Sequence, residues 1–219
     1  DLGSKMPDIE AILRRYEVAP ADRDAVREAF QVLCSLHDEG RNHIWGYYVR
    51  NLARPYAFSR PNNQVDVIVG NPPWLAFRYM PEGMQDRYTQ LAKERGLWAG
   101  GKVATNQDLA DLFVTRCLEQ YLATGGHFGF VMPGGVLSRR AYEGFRSARY
   151  DAPEVSTTLG FEQPWDLRGI VPDIFPMPAC VVFGERSAIR GELPAEAFAL
   201  AGRIGTGARW SDARASLMI

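Results

Sequence analysis

Four consecutive residues, Asn71-Pro72-Pro73-Trp74, directly follow the short apolar run Val65-Asp66-Val67-Ile68-Val69-Gly70. They put an amide side chain and backbone carbonyls on a turn stiffened by two fixed-φ residues, beside the flat face of an indole. From this composition, Asn-Pro-Pro-aromatic arises by chance about 0.003 times, treating positions as independent. The β-branched run reads as a strand buried on both faces, as parallel sheets require. Open α/β sheets bind ligands just beyond the C-terminal ends of such strands. The quartet therefore stands where a planar ligand could be held and stacked.

The elements around it follow from periodicity. The first sixty residues read as helices: Asp22 and the acids after it precede Ala25, Val26, Ala29, Phe30, Leu33 and Leu36 at helical spacing, and Gly40 stands at the C-cap. Asn42 can cap a second helix carrying Ile44, Trp45, Tyr48, Val49 and Leu52, stopped by Pro55. After the first strand, a helix is predicted around Glu82–Glu94 and another from Gln107 to Leu122, burying Leu109, Leu112, Phe113, Cys117 and Tyr121. Gly125-Gly126 ends that helix, and His127–Met132 reads as the next strand. Ser138 is placed as the cap of a short helix through Phe145. Two closing strands, Val155–Phe161 and Ala179–Phe183, have little between them, which implies an antiparallel pair at a sheet edge.

Composition narrows the class. With 219 residues, 46% apolar and 23% charged, the chain is an ordinary globular protein, not a disordered or fibrous one. The 25 Lys+Arg against 26 Asp+Glu leave a net charge of −1, without the basic excess of a self-sufficient nucleic-acid-binding domain. Cys34, Cys117 and Cys180 are scattered among apolar neighbours and form neither a disulfide framework nor a metal spacing. No apolar run is long enough for a membrane span and no signal peptide opens the chain, so a cytoplasmic location is expected.

The strand ending in Asn71-Pro72-Pro73-Trp74 resembles the hallmark of S-adenosylmethionine-dependent N6-adenine DNA methyltransferases. A second stretch agrees: Asp108-Leu109-Ala110-Asp111-Leu112-Phe113, a helix, Gly125-Gly126-His127-Phe128-Gly129-Phe130-Val131-Met132-Pro133, then Leu137-Ser138. It is similar to the block after the catalytic loop in large DNA methylases of restriction-modification systems. The likeness spans roughly Asn42 to Phe183, and only the quartet is sharply specific. It implies an α/β fold, the catalytic half of a Rossmann-like class I methyltransferase sheet with an antiparallel edge pair, preceded by a helical segment. The expected divisions are a helical lead-in over 1–60, the catalytic half over 61–190, and a linker or the start of a recognition region over 191–219.

The resemblance also implies roles. The Asn71 side-chain oxygen and the Pro72 carbonyl would accept both N6–H protons of a flipped adenine, Pro73 would keep the turn rigid, and Trp74 would stack on the base. A second aromatic face has candidates in Phe161 and Phe175. Lys102, Arg139 and Arg140 could meet phosphate, while Asp66, Asp108 and Asp111 read as strand-entry and first-turn helix acids. No metal is called for.

The cofactor would be S-adenosyl-L-methionine, yet the Gly-rich turn that holds its methionine part is missing upstream of Val65. The only Gly-x-x-Gly-x-Gly string, Gly202–Gly207, lacks a convincing strand before it, because Ala197–Ala201 is a weak strand sequence. The expectation is therefore a piece of a larger enzyme, inactive when isolated. Its main cofactor motif would lie outside these residues. DNA would be its substrate, and a restriction or specificity subunit, or fused nuclease and recognition domains, its partners. RNA adenine or protein glutamine methylation, and a non-catalytic methylase-derived module, remain as alternatives.

Overall fold

The computed structural model describes residues 8–18, 20, 23–40, 47, 51, 54, 55, 57–153, 155–205 and 207–218. The chain divides into two units, Asp1–Ala57 and Phe58–Ile219.

The first unit contains α1 (Ile9–Arg15) and α2 (Arg23–Asp38). Asp8 caps α1 by accepting from the N–H groups of Glu10 at 3.0 Å and Ala11 at 3.2 Å, while Arg14 and Arg15 face the negative end of the helix dipole. Gly40 then takes a left-handed φ of +69° just past α2, and its N–H donates to the His37 carbonyl at 3.0 Å. Arg27 on α2 joins the two helices through a 2.5 Å ion pair to Glu10, and also pairs with Asp24. The helix expected from Asn42 to Pro55 lies largely outside the described residues.

In chain order the second unit carries β1 (Val65–Gly70), α3 (Glu82–Glu94), α4 (Leu109–Tyr121), β2 (Leu122–Pro133), α5 (Glu143–Arg146), β3 (Arg149–Ala152), β4 (Val155–Phe161) and β5 (Trp165–Val171). It finishes with β6 (Ala179–Arg186), β7 (Phe198–Arg203), α6 (Trp210–Ser216) and β8 (Leu217–Met218). β1 runs parallel to β2, with Ile68 opposite Phe128 and Gly70 opposite Phe130. β2 is antiparallel to β6, whose far edge is shared by β4 at one end and β5 at the other, both antiparallel. The expected α/β class and antiparallel pairing of the two closing strands are what the chain adopts.

Several local expectations need correction. The segment 197–201, weak as a strand sequence, nonetheless joins one: Phe198–Arg203 forms β7, parallel to β5, and β8 pairs with it, so residues after 191 extend the sheet. Its alternating small residues let the backbones close in, since a Cβ on Gly169 of β5 would lie 2.7 Å from the Leu200 carbonyl. Gly125-Gly126 do not divide helix from strand, because β2 already begins at Leu122. Ser138 ends a 3-10 turn over Gly134–Leu137 instead of starting a helix; the helical residues are Glu143–Arg146. On α4, Phe113 is 41% exposed, and the buried stripe includes Ala110, Asp111, Val114 and Leu118. The helix is turned because Asp111 goes inward.

Phe128, Phe130 and Met132 of β2 alternate into one core with Cys180 and Val182 of β6, Leu118 of α4, and Tyr88 and Ala92 of α3. Burial pushes the Cys180 thiol up to about 12 and the Cys117 thiol up to about 11, so both remain protonated. Glu119, fully inside, pairs with Arg95 at 2.7 Å and Arg116 at 2.8 Å. Arg186 donates to the Leu122 carbonyl at 2.6 Å, close to the end of α4. On β1, by contrast, Val67 is 61% and Val69 77% exposed, and among the described residues this strand pairs with β2 alone. No helix among the described residues is long and apolar enough to cross a membrane.

Candidate active site

β1 ends at Gly70, where a Cβ would approach the Phe130 ring to 3.3 Å. The chain then leaves the sheet, with Asn71 and Pro73 exposed, Pro72 buried and Trp74 half-buried. Neither proline has an N–H for the ladder, so the strand cannot continue. The Asn71 residue therefore sits in the open at the C-terminal end of a parallel strand, followed by two residues of fixed φ.

The backbone after Trp74 turns onto the start of α4. The Leu75 N–H donates to Asp108 Oδ1 at 3.2 Å, the Leu109 N–H to the Leu75 carbonyl at 2.9 Å, and the Phe77 N–H to the Gln107 carbonyl at 2.8 Å. Asp108 also caps α4 by accepting from the Ala110 N–H at 3.0 Å. Desolvation raises the Asp108 pKa against the lowering effect of these two N–H groups.

Below this junction Asp111 is wholly buried, and burial pushes its carboxyl up to about 8. Its Oδ1 accepts from the Tyr88 hydroxyl at 3.1 Å and from the Leu112 N–H at 2.6 Å, whereas Oδ2 has no partner among the described residues. Burial, reinforced by nearby carboxylates, raises the Tyr88 and Tyr142 phenols as well.

The Trp74 ring meets Phe175, from the loop between β5 and β6, with centroids 5.5 Å apart. Its Nε1 is buried without a hydrogen-bond partner among the described residues. Two cavities open here and share Met177 and Pro178. One, of about 160 Å³, is lined by Ala76, Arg78, Asn106, Asp108, Arg139 and Tyr142 among others. The other, of about 280 Å³, is walled by Phe175, Ile174, Asp173 and Arg168 among others. Arg78 donates to Asn106 Oδ1 at 3.2 Å and lies 4.8 Å from the Tyr79 ring centroid. The Gly134 N–H donates to the Pro178 carbonyl at 2.7 Å, tying the end of β2 to the Phe175 loop.

Of the residues singled out from sequence, Trp74, which ends the Asn71–Trp74 turn, and Phe175 come together, and Arg139 lines the adjoining cavity. Phe161 does not join them: it is 8% exposed, edge-on to Phe128 and Phe145 within the core. It is a packing residue because β4 turns it inward. Arg140 lines a separate depression with Trp98 and Glu143, Lys102 is exposed on a 3-10 turn, and Asp66 is exposed on β1. By sequence Asp108 and Asp111 read as ordinary helix-start acids. The N-cap position of Asp108 was visible, but its reach to Leu75 and the burial of Asp111 against Tyr88 are tertiary facts.

The sequence has no match among curated proteins. Three solved structures share part of its course. A protein from Listeria monocytogenes described as a class I S-adenosylmethionine-dependent methyltransferase is 14% identical, with a TM-score of 0.40 over 69% of this chain and 40% of its own. The DrdV–DNA complex is 15% identical, with a TM-score of 0.40 over 65% of this chain and 15% of its own. The ATP-dependent Type ISP restriction-modification enzyme LlaBIII bound to DNA is 14% identical, with a TM-score of 0.40 over 66% of this chain and 10% of its own. The chain thus spans less than half the length of each. The family model of the Eco57I restriction-modification methylases matches residues 28–161, well over half of the sequence and inclusive of the Asn71–Trp74 turn and of α4, whose start braces it. The chain belongs to the Eco57I restriction-modification methylase family.

Proposed function

We propose that this chain is the catalytic part of a DNA methyltransferase that methylates the N6 amine of an adenine flipped out of the duplex, within a restriction-modification system. The observation that carries the proposal is the Asn71-Pro72-Pro73-Trp74 turn at the open end of β1, with its indole against Phe175.

An adenine N6 lone pair is delocalised into the ring, so the amine is a poor nucleophile. The Asn71 side-chain oxygen and the Pro72 carbonyl accept its two N–H groups. They hold the nitrogen in one orientation and favour the sp³ geometry in which the lone pair is free to attack. Trp74 offers the flipped base a stacking face, and Phe175 stands where a second face is needed. Arg78 and Arg139, beside the site, suit the phosphates flanking the extruded nucleotide.

S-adenosylmethionine supplies an electrophilic methyl group when bound. The described residues do not form the Gly-rich cradle that its methionine portion requires. Gly202, which opens the one candidate string, lies in β7, where a Cβ would meet the Ser216 carbonyl at 2.2 Å. That glycine serves strand packing. Donor binding is accordingly assigned to a part of the enzyme outside this sheet, and the uncovered Val67 and Val69 of β1 suit packing against such a part.

The test is N6-methyladenine formation on duplex DNA by the full-length protein and by its Asn71→Ala variant, read by mass spectrometry of digested nucleosides. Loss of one positioned acceptor should lower kcat by about 10²–10³-fold. An unimpaired variant, or label delivered to RNA or protein instead of DNA, overturns the proposal.

A further inference from the structure

We propose that Asp108 is a positioning residue for the Asn71–Trp74 turn. Its Oδ1 both caps α4 and anchors the backbone that leaves the turn. The upstream end of the turn is fixed by the β1–β2 ladder, through Gly70 opposite Phe130. The downstream end has only an isolated bridge in place of a ladder, and the Asp108 side chain adds the bond that reaches the Leu75 N–H. Oδ1 accepts from the Ala110 N–H at 3.0 Å and from the Leu75 N–H at 3.2 Å. Ala76 and Asp108 form an isolated antiparallel bridge, flanked by the Leu109-to-Leu75 bond at 2.9 Å and the Phe77-to-Gln107 bond at 2.8 Å.

The anchor is itself held from behind. Gln107 is fully buried; its Nε2 donates to the Leu97 carbonyl at 2.8 Å and its Oε1 accepts from the Ala99 N–H at 3.1 Å. Asp108 is 9% exposed, so water does not compete freely for its oxygen. Burial costs a charged carboxylate, and two N–H donors, Ala110 at the helix N-terminus and Leu75 on the turn, offset part of that cost. A serine could cap the helix alone. The Asp108 Oδ1, one bond further from the backbone than a serine hydroxyl, reaches both N–H groups at once.

Without the bond to the Leu75 N–H, this end of the turn is held by the Leu109-to-Leu75 and Phe77-to-Gln107 bonds alone, and a misplacement of roughly 1 Å costs a reaction about 10²-fold. The role assigned to Asp108 rests on the proposed catalytic use of Asn71. Two variants separate its two duties. Asp108→Asn keeps an oxygen in place for both bonds, whereas Asp108→Ser keeps a cap but not the bond to Leu75.

In the 219-residue chain, amide exchange at Leu75 should be near wild type in Asp108→Asn and at least tenfold faster in Asp108→Ser, with α4 amides little changed. In the full-length protein, Asp108→Ser should lose at least tenfold in kcat with KM for DNA within about twofold, and Asp108→Asn should restore most of kcat. Slow Leu75 exchange in Asp108→Ser, or wild-type kcat in that variant of an active enzyme, overturns the inference. Equal loss in both variants also overturns it. A wild-type protein that methylates no DNA sinks the proposed function instead, while the exchange rates still decide whether Asp108 holds the turn.

Discussion

The indole of Trp74 and the phenyl ring of Phe175 lie in direct contact, their centroids 5.5 Å apart and their planes inclined at 39°. Two rings that stack on opposite faces of one base must stand roughly 7 Å apart, twice the optimal carbon–carbon separation. A base can enter between them only by parting them. Phe175 belongs to the loop between strands and Trp74 to a braced turn, so under the proposed function Phe175 is the ring that would yield.

Phe175→Ala should therefore weaken capture of the extruded base by about 1–3 kcal/mol. The check is 2-aminopurine fluorescence in a target-containing duplex with the full-length protein. Phe161→Ala, in the core, should instead lower stability by about 3–5 kcal/mol. A Phe175→Ala variant that extrudes 2-aminopurine as readily as wild type contradicts the assignment of the second face.

Asp111 should make stability fall as pH rises. Its folded pKa is raised from 3.8 to about 8 by burial, so the folded state holds a proton that the unfolded state has released between those values. The stabilisation is fully present below about pH 4 and is lost as pH climbs through about 8. Asp111→Asn retains an oxygen for Tyr88 and Leu112 but cannot ionise. Its melting temperature should vary much less than wild type between pH 6 and pH 9.

Glu119 balances Arg95, whose side chain is only 4% exposed, and also meets Arg116. Glu119→Ala takes from the buried Arg95 guanidinium the closer of its two carboxylates and leaves only Glu94, at 3.1 Å, which should cost up to about 3–5 kcal/mol in urea denaturation. Double replacement of Glu119 and Arg95 by apolar residues should recover part of that loss.

The isolated chain should bind S-adenosylmethionine weakly or not at all, because Gly202 packs against β8 and no glycine cradle stands among the described residues. Isothermal calorimetry giving a micromolar Kd would reverse the assignment of donor binding to another part of the enzyme.

The legible features were those written in short windows. Val65–Val69 followed by Asn71–Trp74 declared both a strand and its turn, and the apolar spacing of residues 109–121 declared a helix. β5 and β7 stayed hidden for a physical reason. Trp165–Val171 contains Asp166 and Arg168, which pair with each other at 2.5 Å, and Phe198–Arg203 is rich in small residues. Each becomes a strand largely because the other lies alongside it. Phe161 and Phe175 looked equivalent along the chain. Their separation into core and site depends on where β4 and the Phe175 loop pack. The Asp108–Leu75 bond joins residues 33 apart in sequence, with no local pattern to announce it.

The bare valines of β1 bear on how such a chain behaves in a test tube. A strand with one unpaired edge and apolar side chains 61% and 77% exposed is a template for pairing with another copy. Expressed without a covering segment, the 219-residue chain should self-associate through that edge, and a charged substitution such as Val69→Lys should restore monomers by the edge-blocking device that natural sheets use.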